Sequence, residues 1–323
     1  MPRLGFFFAA SICLTTSLAH AAGFQPIEVP GDDPLPAIKG GVWYPCDQPV
    51  GDIKVGPFTM AATKDCPVTG KKLPLVVISH GRGGTFIGHH DTAETLADAG
   101  FVVVAISHPG DNALDKSRID DPSVFIERPA DIKRTIDFML KSWPNAAKID
   151  AARIGFFGFS RGGYTGLVAI GANPHFGKLL RLCEGNESAL CDQVHKGKLP
   201  ELTHDPRIKA AVIADPLNVF FTSDSFKAVK VPVQLWGSER GGDGVTPESV
   251  VAIANQLPDK PDFHAVLNSQ HFDFLPPCPP ELAKSAPVIC ADAPGFDRAA
   301  FHQELNAATL AFFRKYLMNA EKP

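Results

Sequence analysis

The stretch Arg-Ile-Gly-Phe-Phe-Gly-Phe-Ser-Arg-Gly-Gly at residues 153–163 decides the fold. Residues 153–157 are mostly apolar and predict a short buried strand, and residues 161–170 predict the helix that follows. Between them, Gly-Phe-Ser-Arg-Gly at 158–162 matches the pattern G-x-S-x-G. Small residues two places before and after the serine let a strand turn sharply into a helix, and that turn lifts the serine hydroxyl above the sheet. Ser160 is therefore the candidate nucleophile.

Strands and helices alternate on both sides of this turn. Short apolar runs predict further strands at 73–79, 101–106, 209–214, 231–236 and 263–267. Helical spacing and helix-stop residues predict helices at 91–99, 128–142 and 301–317. Continuous apolar strands separated by helices are typical of an α/β fold, with a mainly parallel central sheet flanked by helices on both faces. Ligands bind such sheets at the carboxyl ends of the strands, which is the end where Ser160 lies.

A single domain at 23–323 is predicted after a short leader. Residues 1–22 carry one charged side chain and a mostly apolar stretch that is too short to span a membrane, and they end in small residues. This is the pattern of a cleaved secretory signal peptide, and it predicts a secreted or periplasmic protein. Within the domain, residues 24–70 predict antiparallel edge strands and residues 171–206 an insertion. No further segment is long and apolar enough for a membrane span.

The composition of the 323-residue chain excludes several classes of function. With 45% hydrophobic and 20% charged residues, the chain has the composition of a folded protein rather than of a disordered one. Lysine and arginine number 31 against 35 for aspartate and glutamate, a formal charge of −4. This near-neutral balance gives no general attraction to nucleic acid or to an anionic membrane, so we expect neither as a partner. The oligomeric state is left open.

Six of the seven cysteines follow the predicted leader. An even number of cysteines in an exported chain predicts disulfides, although six cysteines allow many pairings. Sequential pairing is favoured because each pair then brackets a segment that is rich in proline, glycine or charged residues. The predicted pairs are Cys46–Cys66, Cys183–Cys191 and Cys278–Cys290. The last pair would pin a loop near 276–294. No C-x-x-C pattern occurs, so the cysteines do not indicate a metal site.

A second glycine-rich segment, Ser-His-Gly-Arg-Gly-Gly at 79–84, follows the first predicted strand of the sheet. Acyl transfer needs two backbone N–H groups aimed at the negative charge that develops on the substrate oxygen. One normally belongs to the residue after the nucleophile, here Arg161, and we assign the other to Arg82 in the glycine loop. A dinucleotide site is excluded because Phe86 stands where G-x-G-x-x-G needs glycine, and no G-K-[ST] of a P-loop follows.

A nucleophilic serine needs a base and an acid that orients the base. In this chain order the histidine comes late, in a loop after the last strand, and His271 in Asn-Ser-Gln-His-Phe at 268–272 is the candidate. The acid follows a late strand. Asp243 is the first choice, Asp215 at the end of the preceding strand is the second, and Glu239 is the third. The sequence leaves these alternatives open.

These motifs resemble the α/β-hydrolase superfamily from about residue 40 to the end. The glycine loop, the serine motif and Gln-His-Phe at 270–272 look like the predicted dienelactone-hydrolase group, which is related to platelet-activating-factor acetylhydrolases and more distantly to cutinase-like polyester hydrolases. The resemblance implies Ser160 as nucleophile and His271 as base. It also implies that the amides of Arg82 and Arg161 form the oxyanion hole. True dienelactone hydrolases have cysteine at the position of Ser160, so the group name says little about substrate.

The predicted function is a secreted serine hydrolase that cleaves small carboxylic esters through an acyl-enzyme, with no metal and no organic cofactor. The alternatives are an acyltransferase, thioesterase or amidase on the same scaffold, or a non-catalytic secreted binding protein, because a fold alone does not prove chemistry. Two arginines beside the oxyanion hole suggest a further hypothesis, a preference for esters that carry an anionic group. The competing interpretation is that both arginines pair with nearby carboxylates.

Overall fold

The structure is a computed structural model that describes residues 21–33, 35–176, 181, 183–185, 189–198 and 201–318. The strands are β1 Ala21–Val29, β2 Ile38–Cys46, β3 Asp52–Val55, β4 Phe58–Lys64, β5 Leu73–Ser79, β6 Val102–Ser107, β7 Ile149–Phe159, β8 Ile208–Ala214, β9 Val233–Ser238 and β10 Asp262–Val266. The helices are α1 His90–Asp98, α2 Val124–Lys141, α3 Arg161–Ala169, α4 Ala189–His195, α5 Pro247–Gln256, α6 Pro280–Ser285, α7 Pro287–Cys290 and α8 Arg298–Phe313. Short 3₁₀ turns lie at Ala146–Lys148 and His271–Phe274, and a π-helical turn, Arg314–Met318, follows α8.

All ten strands belong to one sheet in the order β10-β9-β8-β7-β5-β6-β2-β1-β4-β3. Each neighbouring pair from β10 to β6 is parallel, and β2 is antiparallel to both β6 and β1. The predicted mainly parallel α/β sheet is therefore confirmed. The antiparallel arrangement predicted for residues 24–70 is wrong for one pair, since β1 and β4 are parallel. The reason is that β3 lies at the outer edge of the sheet and pairs with β4 in an antiparallel hairpin. Strand β4 therefore lies next to β1 and runs in the same direction.

Both faces of the sheet are covered, as the apolar strands predict. All seven residues of β5 are buried. Its alternate side chains enter two different clusters: Leu75 and Val77 pack on the side of α2, α3 and α5, and Val76 and Ile78 pack on the side of α1 and α8. A strand buried on both faces has no polar alternation, which is why its sequence is a continuous apolar run.

Element boundaries differ from the predictions in two informative places. Strand β7 begins at Ile149 rather than at residue 153. Helix α2 begins at Val124, four residues before the predicted start, and it contains Pro129. Burial of the first residues of α2 in the core overrides the low helix propensity of the proline.

The cysteines form the three sequential disulfides, Cys46–Cys66, Cys183–Cys191 and Cys278–Cys290. The described part of the predicted insertion contains the second of these and α4. Most of the predicted signal peptide, residues 1–20, lies outside the described residues, and β1 begins at Ala21. Among the described residues, no helix combines the length and apolarity that crossing a bilayer requires.

Candidate active site

Ser160 occupies the sharp turn between β7 and α3. Its backbone has φ 56° and ψ −119°, a conformation that non-glycine residues rarely adopt. The flanking glycines make the turn possible. A Cβ on Gly158 would lie 2.3 Å from the carbonyl oxygen of Gly162, and a Cβ on Gly162 would lie 2.0 Å from that of Ser79. The backbone N–H of Ser160 donates to Ala214 O at 2.9 Å, which fixes the turn to β8.

His271 lies beside the serine, on the 3₁₀ turn that follows β10. Its Nε2 is 3.0 Å from Ser160 Oγ, and its Nδ1 is 2.7 Å from Asp215 Oδ2. The ring stacks on Phe159 with a centroid distance of 4.7 Å. The serine, imidazole and carboxylate thus form a continuous hydrogen-bonded chain, the arrangement that activates a serine hydroxyl.

Asp215 directly follows β8 and is fully buried. Its Oδ1 accepts from the backbone N–H of Ser238 and its Oδ2 accepts from the Ser238 hydroxyl, both at 2.8 Å. These bonds hold the Asp215 carboxylate next to His271 Nδ1. Its φ of 42° is left-handed, a conformation that aspartate and asparagine tolerate better than most residues.

The first choice of the sequence analysis for the acid, Asp243, lies elsewhere. It is exposed at the edge of the serine cavity, and His271 makes its described carboxylate contact with Asp215 instead. The loop of Asp243 does pass close to the base, since a Cβ on Gly242 would lie 3.1 Å from His271 Cβ. Glu239, the third choice, accepts from the backbone N–H of Asn268 at 2.6 Å. Chain order alone does not say which of two successive loops turns its carboxylate toward the histidine.

The glycine loop at 81–84 lies against the serine turn. A Cβ on Gly81 would be 3.2 Å from Ser160 Cβ, so a larger residue there would push against the serine turn. Within the described residues, the backbone N–H groups of Arg82 and Arg161 donate to no other group, whereas the N–H of Gly83 donates to Asp111 Oδ1 at 3.1 Å. Two unengaged donors beside a serine hydroxyl are the requirement for an oxyanion hole.

Both arginine side chains next to these amides are paired. Arg82 Nη2 contacts Asp120 Oδ1 at 2.5 Å on the surface. Arg161 Nη1 contacts the buried Asp111 at 2.8 Å and Ile119 O at 2.9 Å. The guanidinium groups are therefore engaged within the protein, which supports the competing interpretation over the hypothesis of an anionic ester.

A cavity of about 320 Å³ opens at the serine. Its lining combines apolar side chains, carboxylates and the arginines Arg82 and Arg161. The apolar lining residues are Ile119, Pro122, Phe125, Leu217 and Val219. The carboxylates are Asp120, Asp121 and Asp243. The cavity can hold a small group next to the serine hydroxyl.

A second serine, histidine and aspartate lie behind the glycine loop. Ser79 Oγ is 2.9 Å from His108 Nε2, and His108 Nδ1 is 2.9 Å from Asp131 Oδ2. Ser79 and His108 have no exposed surface. Desolvation, with the nearby Arg128, lowers the pKa of His108 well below its usual value, while burial raises the pKa of Asp131 to about 7.

Two buried arginines hold the site together, and sequence reasoning missed both roles. Arg128 on α2 contacts Asp111 and also donates to the carbonyl oxygen of His80, the residue before the glycine loop. Arg298 donates to Asp273 Oδ1 at 3.0 Å, and Asp273 Oδ2 accepts from the backbone N–H of Gln270 at 2.7 Å. Arg298 thereby fixes the turn that carries the candidate base. The position of Arg128 in a helix with a buried apolar face was an available signal, whereas Arg298 precedes the predicted helix at 301–317.

Comparisons with known proteins find a family match over part of the chain and similar solved structures. Residues 46–133 match the family described as platelet-activating factor acetylhydrolase, isoform II. This segment includes β5 and the glycine loop but ends before Ser160. No curated protein matches. One similar solved structure is a ferulic acid esterase from Streptomyces cinnamoneus, with 20% identity and a TM-score of 0.65 over 96% of this chain and 93% of that one.

The chain has the α/β-hydrolase fold. The predicted resemblance to the acetylhydrolases is confirmed over the matched segment, and the predicted class of enzyme, a carboxylic ester hydrolase, is confirmed with it. The α/β-hydrolase fold also accounts for the position of Ser160. It places the turn between a central strand and its helix at the carboxyl edge of the sheet, where ligands bind.

Proposed function

We propose that this α/β hydrolase is a serine esterase that cleaves small neutral carboxylic esters, with Ser160 as nucleophile, His271 as base and Asp215 as the orienting acid. The observation that carries the proposal is the hydrogen-bonded chain from Ser160 Oγ through His271 to Asp215, at 3.0 Å and 2.7 Å. It ends at a serine that lines a cavity and stands beside the unengaged amides of Arg82 and Arg161.

The reaction follows from these positions. His271 Nε2 takes the hydroxyl proton of Ser160 while Ser160 Oγ attacks the ester carbonyl. The amides of Arg82 and Arg161 donate to the oxyanion, and the imidazolium is stabilised by Asp215. The alcohol leaves with the proton from His271, and the acyl group remains on Ser160. Water then attacks the acyl-enzyme by the same route, which releases the acid and restores the free serine.

The cavity supports a limited size and charge of substrate. Its apolar lining, which includes Phe125 and Leu217, suits a short or medium acyl chain or a small ring. The arginines that line the cavity are paired with Asp120 and Asp111, so they do not favour an anionic ester. Three disulfides and the leader-like sequence at 1–22 support export from the cytoplasm, since disulfides persist in oxidising compartments.

The test is hydrolysis of p-nitrophenyl esters, from acetate to decanoate, by the wild-type protein and by Ser160→Ala. We expect the wild type to hydrolyse the shorter esters with a higher kcat/KM than the decanoate, and Ser160→Ala to lose activity by about 10⁴-fold or more. Equal activity of the two proteins would contradict the assignment of Ser160. A wild type that cleaves none of the esters, while it cleaves thioesters or amides, would contradict the esterase and favour those reactions.

A further inference from the structure

One buried carboxylate joins both halves of the candidate oxyanion hole. Asp111 has no exposed surface and lies in the loop after β6. Its Oδ1 accepts from the backbone N–H of Gly83 at 3.1 Å. Its Oδ2 accepts from Arg128 Nη1 and from Arg161 Nη1, each at 2.8 Å. Gly83 directly follows Arg82, and Arg161 is itself the second amide donor.

The two donor segments follow the adjacent, paired strands β5 and β7. Beyond that pairing, the glycine loop is bonded to the loop after β6, where Ala113 also donates its backbone N–H to Gly84 O at 2.9 Å. The glycine loop follows β5 and contains three glycines, and Gly83 has a left-handed φ of 63°. A glycine-rich backbone loses more conformational freedom on ordering than any other, so a loop of this kind needs a specific bond to keep one conformation. The bond from Gly83 to Asp111 constrains the residue next to the donor Arg82.

The surrounding charges keep Asp111 in the form that this role needs. Burial alone would raise its pKa, but Arg128 and Arg161 hold the pKa of Asp111 below its usual value. The carboxylate is therefore ionised and accepts from all three donors at once. Arg128 adds a further link, because it donates to the carbonyl oxygen of His80, the residue before the glycine loop.

We infer that Asp111 is a positioning residue that sets the distance between the Arg82 and Arg161 amides, so that both reach one oxyanion. It contacts neither substrate nor the reacting atoms. The inference rests on the proposed esterase function and concerns the stabilisation of the tetrahedral intermediate. Removal of a single oxyanion donor costs about 10²- to 10³-fold in kcat in other enzymes, so a misplaced donor is expected to cost somewhat less.

The test is Asp111→Asn, with Asp205→Asn as the matched control. Asp205 is also buried and is paired with an arginine, Arg207, at 2.5 Å. It lies just before β8, at the amino ends of the parallel strands, whereas Ser160 lies at their carboxyl ends. For Asp111→Asn we expect kcat to fall about 10- to 100-fold with little change in KM. The control loses stability but keeps kcat within about 3-fold.

A trifluoromethyl ketone inhibitor gives the second readout. It forms a tetrahedral adduct with the serine whose oxyanion needs both amides, whereas ground-state binding needs neither. We expect Asp111→Asn to weaken this inhibitor by the same factor as kcat, and Asp205→Asn to leave it unchanged. A loss of stability alone would not change the ratio of inhibitor affinity to KM. An unchanged ratio in a folded Asp111→Asn protein would overturn the inference.

If Asp111→Asn does not fold, Arg161→Gln tests the same link while Asp111 keeps its partners Arg128 and Gly83. The expected loss is again in kcat and in inhibitor affinity, and an unchanged kcat would contradict the inference. The two proposals fail differently. A wild type without esterase activity contradicts the proposed function, whereas an active wild type with unaffected variants contradicts only the role of Asp111.

Discussion

Two serine–histidine–aspartate chains lie close together in this molecule, and their hydrogen bonds are nearly the same. In the first, Ser160 is 3.0 Å from His271, which is 2.7 Å from Asp215. In the second, Ser79 is 2.9 Å from His108, which is 2.9 Å from Asp131. Ser160 follows β7 and Ser79 ends β5, two neighbouring parallel strands of the same sheet. Distances within the chain therefore do not distinguish a catalytic site from a structural one.

The surroundings of Ser160 and Ser79 differ. Ser160 stands on a strained turn, lines a cavity and faces two unengaged amides. Ser79 is the last residue of a regular strand, is fully buried, and its hydroxyl oxygen also lies 3.3 Å from the Arg128 guanidinium. A nucleophile needs room for a carbonyl group and donors for the oxyanion. Access and oxyanion donors, rather than the serine–histidine bond, are therefore what favour Ser160 over Ser79 as the proposed nucleophile.

The largest expected effect is on covalent labelling. A fluorophosphonate probe should modify Ser160 and leave Ser79 unmodified, because only the first serine can be reached and only its adduct gains the oxyanion donors. Mass spectrometry of the digested protein identifies the labelled residue. A matched pair of variants extends the comparison: Ser160→Ala loses the label and hydrolysis, whereas Ser79→Ala keeps the label and loses about 1–2 kcal/mol of stability with its buried hydrogen bonds. Label on Ser79 would reverse our assignment.

The next effect separates the two candidate acids of the Ser160 chain. Asp215→Asn should lower kcat by about 10⁴-fold, because an asparagine amide cannot hold the required histidine tautomer or stabilise the imidazolium. Asp243→Asn should lower it by less than about 10-fold. The pair is well matched, since φ is 42° at Asp215 and 46° at Asp243 and asparagine tolerates both. A larger loss in Asp243→Asn than in Asp215→Asn would restore the first choice of the sequence analysis.

These acids illustrate how far the sequence could predict the site. The G-x-S-x-G turn, the glycine loop and a late histidine depend on local backbone requirements, so Ser160, Arg82 and His271 are visible in the sequence. The choice between Asp215 and Asp243 depends on how a loop folds over its neighbour, which no local pattern encodes. The pairing of Asp111 with Arg128 was invisible for a related reason, because burial of a charged side chain is set by tertiary packing rather than by periodicity.

The fold shows the same division. The central strands were predicted because a strand buried on both faces must be a continuous apolar run. The parallel pairing of β1 with β4 was missed because it joins residues that no turn connects directly. Register and strand order at a sheet edge depend on which hairpin takes the outer position, and the proline-rich sequence at 24–70 carries no signal for that choice.

A smaller effect tests how the reactive histidine is held. His271 lies on a short turn whose anchor is Asp273, and Arg298 is the buried partner of Asp273. Arg298→Gln should lower kcat by about 10-fold at a temperature where the variant remains folded, because a small displacement of a catalytic group is costly. His108 directly follows β6, and among the described contacts of Arg298 none is with His108. Unchanged kcat in the folded variant would show that the turn keeps its geometry without this arginine.

The smallest expected effect is on the pH dependence of stability, and it concerns the buried chain. In the unfolded protein between about pH 4 and 6.5, Asp131 is charged and His108 is protonated. In the fold, desolvation lowers the pKa of His108 and raises the pKa of Asp131 to about 7, so the pair again holds one proton. Equal proton numbers in the two states mean that this pair adds no slope to the free energy of unfolding in that range.

Asp131→Asn should remove this balance. The unfolded variant still binds a proton at His108 below pH 6.5, whereas the folded variant does not. The free energy of unfolding of the variant is therefore highest above pH 6.5 and falls as the pH drops below it. The added slope is about 1.4 kcal/mol per pH unit. This slope adds to the slope from His80 and His89, because burial lowers the pKa of each of these histidines to about 3 in the wild type as well. Urea unfolding between pH 4.5 and 7.5 measures the slope, with Ser79→Ala as the control that keeps both titrating groups. Parallel curves for wild type and Asp131→Asn would mean that Asp131 takes up no proton on folding in this range, which would contradict the raised pKa of its buried carboxyl.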